Sequence, residues 1–386
     1  MVSGKVNICT LAYIDLDALE FNFLKIRRFL KPSVKILVTV KQDAYGHGIV
    51  EVSRLLEKKG VDFLGIASLE EAEILRKNDI KVPILNLGII SFKEEAEQVM
   101  KLNVIQTVSS SRCLELLGKV ASCYKRSIPI HLKIDTGMTR LGAPANLVPH
   151  LVKILKKFPY LKLEGIFTHF PSADTDRDFT IYQLQLFKKV LDYLKSQHIF
   201  PTYIHTSNSA ALLKYPQAHF NLVRPGLIIY GANPFSFESL RGFKPVMSVK
   251  SRVIYVRTVQ KGTSVSYGRT FISPKKMKIA TIPIGYGNGL PFSLSNKGKV
   301  IIKGDMFPVV GRVCMDFIMV GVPFNKKIKV GDEVIIMGKY KNLKIGCEDI
   351  ALLSGSIPYE ILCRFGKGLK RIYIRGEKRY LEPPRV

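Results

Sequence analysis

The stretch from Lys35 to Lys58, KILVTVKQDAYGHGIVEVSRLLEK, decides the fold. Its opening, Lys35–Val40, is almost continuously apolar and β-branched, as expected of a strand buried on both faces of a parallel sheet. A loop containing Gly46 and Gly48 follows, and Glu51–Lys58 then takes up helical spacing with good helix formers. The unit is strand, loop, helix, and it recurs. Phe63–Ala67, Ile84–Leu87, Val104–Val108, Ile130–Ile134, Leu163–Phe167, Tyr203–His205 and Leu222–Val223 read as further strands. Leu69–Arg76, Phe92–Met100, Ser111–Ala121, Ala145–Lys156 and Thr180–Ser196 read as helices between them. Eight βα units in about 240 residues is the size expected of a closed (β/α)8 TIM-type barrel in the α/β class.

Beyond Gly242 the pattern changes to short β-branched runs punctuated by glycine and proline: Val246–Val259, Ile279–Ile284, Lys299–Ile302, Pro308–Val310, Phe317–Val320 and Glu333–Met337. The chain therefore divides into a barrel over residues 1–242 and a mainly-β C-terminal domain over 243–386, with no low-complexity linker between them. A chain of 386 residues has room for both.

The formal charge of +28 raises nucleic acid or an anionic membrane as partners. The distribution argues against both. Basic residues occur in ones and twos, such as Arg27-Arg28, Lys156-Lys157 and Lys326-Lys327, with no arginine-rich arm or aromatic-interleaved basic stripe. No run is long and apolar enough to span a bilayer, and the first residues lack the features of a signal peptide. The six cysteines are widely separated and form no Cys-x-x-Cys pair, so neither a zinc site nor a redox dithiol is expected, and a reducing cytoplasm fits.

Polar residues out of keeping with their surroundings cluster just after the expected barrel strands, where active sites of such barrels lie. Lys41 closes the first quoted strand. A lysine desolvated in a barrel mouth can lose its proton and serve as a Schiff-base or general-base group, although a lysine ending a strand is more often simply solvated. Asp135 to Gly142, with Arg140, follows the fifth run; Thr168 and His169 follow the sixth; Asn208 and Ser209 follow the seventh; Arg224-Pro225-Gly226-Leu227 follows the eighth. Singly, His169 could be a hydrogen-bonded structural histidine, Arg140 an ion-pair partner and Asn208-Ser209 a helix cap. Together, a lysine, arginines, a histidine and a phosphate-type loop at one barrel face point to pyridoxal phosphate.

These residues carry a resemblance to the alanine racemases that runs from Ile14-Asp15-Leu16 to Tyr359-Glu360-Ile361. Val40-Lys41-Gln42-Asp43-Ala44-Tyr45-Gly46-His47-Gly48 resembles the family's cofactor-lysine signature, and Lys133 to Gly142 resembles its most recognisable internal motif. Thr168-His169-Phe170, Asn208-Ser209-Ala210, Arg224-Pro225-Gly226, Ser266-Tyr267-Gly268, Gly285-Tyr286-Gly287 and Gly311 to Asp316 match in order as well.

The resemblance implies pyridoxal 5'-phosphate bound to Lys41, its phosphate held by Tyr45, Ser209 with neighbouring Asn208, the backbone of Gly226 and Leu227, and Tyr359. Arg224 would face the pyridine nitrogen and Arg140 the phenolic oxygen, with His169 beside them. Lys41 and Tyr267 would be the catalytic acid/base pair on opposite faces of the substrate. Met315 would contact the substrate carboxylate through its main-chain amide; Tyr286 and Asp316 would support it; Lys133 stands where the family often carries a carbamylated lysine. In the family Tyr267, Met315 and Asp316 come from the partner subunit, which implies a homodimer with shared sites, alanine as substrate and D-alanine for peptidoglycan as product.

Four positions depart from the family pattern. Gln42-Asp43 stands for a more usual Ala-Asn pair, Asn288 for an aspartate, and Phe292 for an arginine that helps line substrate access. They touch substrate breadth, so a broad-specificity or serine-preferring racemase is the alternative. A barrel decarboxylase would carry an acidic residue where Arg224 stands, and a non-catalytic cofactor-binding barrel would lack the second domain.

Overall fold

A computed structural model describes residues 9–234 and 242–381. The repeated unit of the sequence is an eight-stranded parallel sheet. In chain order its strands are β2 (Lys35–Thr39), β3 (Phe63–Ile66), β4 (Ile84–Asn86), β5 (Val104–Val108), β6 (Ile128–Asp135), β8 (Leu161–Phe167), β9 (Tyr203–His205) and β10 (Leu222–Val223). The two-residue strand β7 (Ala143–Pro144) adds to the end of β6. Spatial order follows sequence order from β2 to β9, with β10 returning beside β2, so the sheet curls into a barrel.

Closure between β9 and β10 combines a few backbone bonds, among them Arg224 amide to Ser207 O at 2.9 Å, with one side-chain amide. The Asn221 amide reaches the Ile204 carbonyl at 3.4 Å. Asn221 Oδ1 accepts from the Ile204 amide at 2.8 Å and its Nδ2 donates to Thr202 O at 2.6 Å. A side-chain amide thus stands in for ladder bonds that the short last strand cannot make. The outward faces of the strands pack Ile36, Val38, Leu64, Ile66 and Ile84 in the main core, while Leu37, Phe63, Leu85, Ile105 and Leu222 fill the barrel floor. Burial on both faces is why these runs lack alternation.

Outside lie α3 (Ile49–Lys58), α4 (Leu69–Lys77), α5 (Lys93–Lys101), α6 (Ser111–Cys123), α7 (Val148–Leu155), α8 (Arg177–Ser196) and the short α9 (Ser209–Lys214). Ser68, Ser110, Asp176 and Asn208 cap four of them by accepting a backbone amide three residues on. Helix α2 (Lys41–Tyr45) is a special turn described below.

One strand departs from a simple division of the chain near residue 242. Strand β1 (Leu11–Asp15), followed by α1 (Leu16–Phe29), belongs to the C-terminal sheet, pairing antiparallel with β11 (Met247–Arg252) and parallel with β21 (Arg371–Arg375). Its alternating burial, with Ala12 and Ile14 inward, suits a sheet with one solvated face and not the barrel.

Around that strand the sheet runs β17 (Asp305–Pro308), β16 (Lys299–Ile302), β19 (Glu333–Tyr340), β11, β1, β21 and β22 (Lys378–Leu381), with β20 (Leu343–Ile345) on β19. A second sheet joins β12 (Tyr255–Val259), β15 (Met277–Ile282) and β18 (Ile318–Pro323), and β13 (Ser264–Val265) pairs with β14 (Phe271–Ile272). The run Val246–Val259 is therefore two strands in two sheets. The C-terminal half also holds two helices, α10 (Cys347–Ser354) and α11 (Pro358–Gly368), the second opening with proline at its first position and burying Ile361, Leu362 and Phe365.

Replacing Asn221 with alanine removes both side-chain bonds across the seam, and a loss of about 1–3 kcal/mol of unfolding free energy is expected. Urea denaturation measures it; an unchanged midpoint would show that the barrel closes without this residue.

Candidate active site

Lys41 leaves β2 and enters α2, whose Gln42, Asp43, Ala44 and Tyr45 have φ of 53, 56, 54 and 53°. This is a left-handed helical turn made of non-glycine residues. Each such residue costs about 1–2 kcal/mol, so four in succession persist only where surroundings hold them. The Gly46 and Gly48 amides donate to Gln42 O at 3.0 Å and Asp43 O at 2.9 Å. Asp43 Oδ1 accepts from the Ile49 amide at 2.8 Å, and Glu71 accepts from the Gln42 amide. Arg371, fully buried in β21, donates from Nη1 to Asp43 Oδ2 at 2.6 Å and to Gly46 O at 3.0 Å. The turn brings Tyr45 back across the barrel mouth.

Tyr45 lies under the 3₁₀ turn Leu227–Tyr230: a Cβ at Gly226 would stand 2.8 Å from its hydroxyl. Ser209 Oγ accepts from the Gly226 amide at 3.0 Å and the Ile228 amide at 3.4 Å, and the Tyr359 ring, carried by α11, lies 5.8 Å from that of Tyr45. Backbone amides, a serine hydroxyl and two phenols at the start of a helical turn suit an anion with several oxygens, and the missing side chain at Gly226 leaves the approach open. These residues fit a phosphate group. Asn208 is committed within the protein, capping α9 through the Ala211 amide at 3.0 Å and donating to Phe170 O at 3.1 Å. Its contribution is to hold Ser209.

Among the described residues no carboxylate pairs with the buried Arg224. Nη2 donates to Thr168 O at 2.7 Å and Thr206 O at 3.1 Å and meets His169 Nδ1 at 3.3 Å, while Nη1 meets His205 Nδ1 at 2.8 Å. The chain continues from His205 Nε2 to His131 Nδ1 at 2.8 Å. Since arginine can only donate, His205 Nδ1 accepts, its Nε2 carries the proton, and His131 Nδ1 accepts in turn. Both imidazoles are neutral. Burial, then the Arg224 charge, pushes His131 down to about 3 and His205 well below its usual range. Burial lowers Arg224 to about 9, which leaves it a cation at neutral pH.

Lys133, inward on β6, lies 5.5 Å from the Phe167 ring centroid, and burial followed by the charges of Arg140, Arg224 and Lys41 brings it down to about 8. Lys41 is lowered by burial and then by Arg140, against the opposing pull of Glu71 and Cys363. Arg140 rides on a loop held by Asp135 Oδ1, which accepts from the Gly137, Met138 and Thr139 amides. Two lysines with weakened affinity for protons and two arginines thus surround one mouth, an arrangement that binds anions and supplies an amine base.

The remaining expected residues form a second group. Tyr267 and Met315 are 71% and 55% exposed, and Tyr286 and Asp316 are exposed beside them. Ser266 Oγ donates to Arg312 O at 2.7 Å, and the Tyr286 and Gly287 amides donate to Cys314 O and Met315 O at 3.0 and 2.9 Å. Among the described residues no hydrogen bond or ring contact links Tyr267, Tyr286, Met315 or Asp316 to the Lys41 group.

Sequence reading missed His131, His205, Thr206 and Arg371. A signal existed for the histidines: in register, His131 pairs with Gly165, which in turn pairs with Tyr203, and His205 pairs with Phe167, so both fall on inward positions of apolar strands. A Cβ at Gly165 would lie 2.5 Å from the His131 ring, which is why glycine stands there. Arg371 gave no such sign, because its partner Asp43 is distant in sequence.

Comparison with known proteins matches the chain over nearly its whole length. The alanine racemase N-terminal domain matches residues 14–234 and the alanine racemase C-terminal domain residues 246–373. An alanine racemase of Halothermothrix orenii is 39% identical over 94% of this chain and 96% of its own. The solved alanine racemase of Clostridium difficile 630 superposes with a TM-score of 0.90 at 38% identity, covering 97% of this chain and 98% of its own. That of Bartonella henselae, with covalently bound pyridoxal phosphate, gives 0.87 at 29% identity over 95% of this chain and 100% of its own.

The buried histidines make stability depend on pH with a definite sign. His47, at about 4, and His131, at about 3, are both held down mainly by burial and stay neutral in the fold. In the unfolded chain they take up protons below the ordinary value of 6.5. The unfolded state therefore binds more protons between that value and about 4, and stability should fall as pH drops through this window, by up to about 1.4 kcal/mol per pH unit for each histidine. Denaturation midpoints across this range test it, and His131→Asn should flatten the slope; equal slopes for both proteins would count against the assignment.

Proposed function

The chain belongs to the alanine racemase family, a pyridoxal-phosphate-dependent isomerase interconverting L- and D-alanine, and on that premise we propose that Lys41 and Tyr267 are its two acid/base groups, the tyrosine supplied by a second copy of the chain. The observation that carries this reading is the separation of the two groups. The pocket around Lys41 has two lysines, an anion cradle and fixed cations on one face of the barrel, and among the described residues no hydrogen bond or ring contact brings Tyr267 of the same chain to it. Tyr267 stands exposed among Tyr286, Phe292, Met315 and Phe317, an apolar surface of the kind that a partner covers.

When bound, the cofactor withdraws electrons from the substrate Cα and so makes its proton removable. The chain's own residues do the rest. Tyr45, Ser209, Tyr359 and the Gly226 and Leu227 backbone hold the phosphate, and Lys41 carries the cofactor. Arg224, immobilised by its four partners, would meet the ring nitrogen as a hydrogen-bond donor that does not hand over its proton, and so would leave the cofactor a weaker electron sink and disfavour side reactions. Arg140 would face the phenolic oxygen, and the Met315 amide, supported by Asp316, would reach the substrate carboxylate from the second copy. Lys41 serves the face used by D-alanine and Tyr267 the opposite face, with His169 and Arg224 on the side from which the tyrosine would enter. The family supports a homodimer with two shared sites, in the cytoplasm of a bacterium that builds D-alanine into peptidoglycan; no helix of the described residues is long and apolar enough to cross a membrane.

Alanine racemised in deuterated water should gain deuterium at Cα. Lys41→Ala should abolish exchange and Tyr267→Phe reduce it severely. Mixing the two inactive variants should restore about a quarter of wild-type activity, because half of randomly paired dimers carry one intact site of two. No recovery from folded, mixed variants would overturn the sharing of residues.

Phe292 favours a broader substrate range as a second reading. It lies half exposed, edge-on to Tyr286 at 6.4 Å, where a family arginine would narrow access. Phe292→Arg should raise the KM ratio of serine to alanine; unchanged Michaelis constants for both amino acids would remove this reading.

A further inference from the structure

We propose that Arg371 is a positioning residue: its ion pair with Asp43 clasps the left-handed turn Gln42–Tyr45 and so fixes the direction in which Lys41 enters the barrel mouth. This rests on the reading of Lys41 as the cofactor-bearing residue, and Arg371 acts through the turn without touching the reacting groups.

A left-handed turn of four side-chain-bearing residues is a state the backbone leaves unless neighbours forbid it. The neighbours here come from the far end of the chain. Gly46 and Gly366 meet backbone to backbone, and a Cβ at Gly366 would lie 2.2 Å from the Gly46 Cα. A Cβ at Gly48 would fall 1.8 Å from the Tyr373 hydroxyl. Helix α11 and strand β21 therefore fill the space into which the turn would relax.

Shape alone would leave the turn free to slide, and charge stops it. Arg371 bonds from one nitrogen to a side chain within the turn and to the carbonyl just after it, Asp43 Oδ2 and Gly46 O. The same Asp43 carboxylate holds the Ile49 amide with its other oxygen, tying the turn to α3. The guanidinium is fully buried while the Asp43 side chain is 29% exposed, so the pair is partly shielded from water, and removing one member of such a pair is costly. Its anchor is rigid as well, since Arg371 pairs in register with Ala12 inside the seven-strand path of the C-terminal sheet.

The positions involved are the ones where this sequence departs from the family's Ala-Asn. Gln42 Oε1 accepts from Lys367 Nζ at 3.3 Å and Asp43 pairs with Arg371. Both substitutions are met by cations of a single segment, Lys367 on α11 and Arg371 on β21. An asparagine could accept a bond from arginine, but without the charge that makes a buried guanidinium bind firmly.

The test uses the full chain as holoenzyme and as apoprotein refilled with pyridoxal phosphate, in wild type, Arg371→Met, Arg371→Lys and Asp43→Asn. Three quantities are read: amide hydrogen exchange in residues 42–48, the dissociation constant for pyridoxal phosphate by fluorescence titration, and the split of kcat against KM. Arg371→Met should speed exchange in this segment selectively, weaken cofactor binding and lower kcat by on the order of tenfold to a hundredfold, with alanine KM nearly unchanged. Asp43→Asn should move all three the same way by less, and Arg371→Lys should recover part of the loss. If Arg371→Met does not fold, Asp43→Asn and Arg371→Lys carry the decision. Wild-type exchange and cofactor affinity in Asp43→Asn and Arg371→Lys, or exchange raised evenly along the chain with affinity unchanged, overturn the proposal. Borohydride reduction followed by peptide mapping of the wild type keeps the premise separate: cofactor attached elsewhere than Lys41 sinks the premise and not the clasp.

Discussion

A cation buried in the barrel mouth, with no carboxylate partner among the described residues, sets the terms for everything around it. Taking the Arg224 guanidinium out of water costs several kcal/mol, and only a full set of acceptors offsets that. Two come from strand-end carbonyls, Thr168 and Thr206, which are free because each strand has just finished its ladder. The others are imidazole nitrogens, which can accept only while neutral. The same low-dielectric surroundings that make the arginine costly hold the histidines neutral, so charge, tautomer and burial support one another. Phe167, whose ring stacks on His205 at 4.6 Å and underlies Arg224 at 5.1 Å, closes the layer from below.

Above this layer the mouth collects positive charge and places anion-binding groups at its rim. The C-terminal domain takes part on two sides. In its own chain it supplies α11, which carries Tyr359 toward Tyr45 and lays a backbone surface against the turn after Lys41. Its exposed group around Tyr267 points to solvent in a single chain, and the proposed sharing of sites gives that exposure a purpose. The fold thus couples the lysine to its own β domain through packing, and the proposed sharing would couple it to another copy's through chemistry.

Strain is concentrated where precision is needed. Most of the barrel uses ordinary strand and helix geometry with serine, aspartate and asparagine caps. The turn that carries Lys41 does not, and it is also where the sequence leaves the family pattern. An unfavourable backbone conformation held by distant groups is stiff, because no nearby alternative satisfies the same contacts.

Local pattern made much of this molecule readable. Continuous apolar runs followed by helical periods announced the barrel, since both-face burial and amphipathic burial leave different periods. Lys41, Arg140, His169, Ser209 and Arg224 stood out as polar residues at strand ends, and resemblance supplied their company. What sequence alone could not decide are the facts that need two distant stretches at once. Leu11–Asp15 reads as any short strand, and only pairing with Met247–Arg252 and Arg371–Arg375 puts it in the other domain. Asn208 reads equally as ligand or cap, and its partners Ala211 and Phe170 commit it. Asp43 and Arg371, separated by most of the chain, become an ion pair only when β21 is laid beside the lysine's turn, because periodicity records which face a residue buries and not what that face will meet.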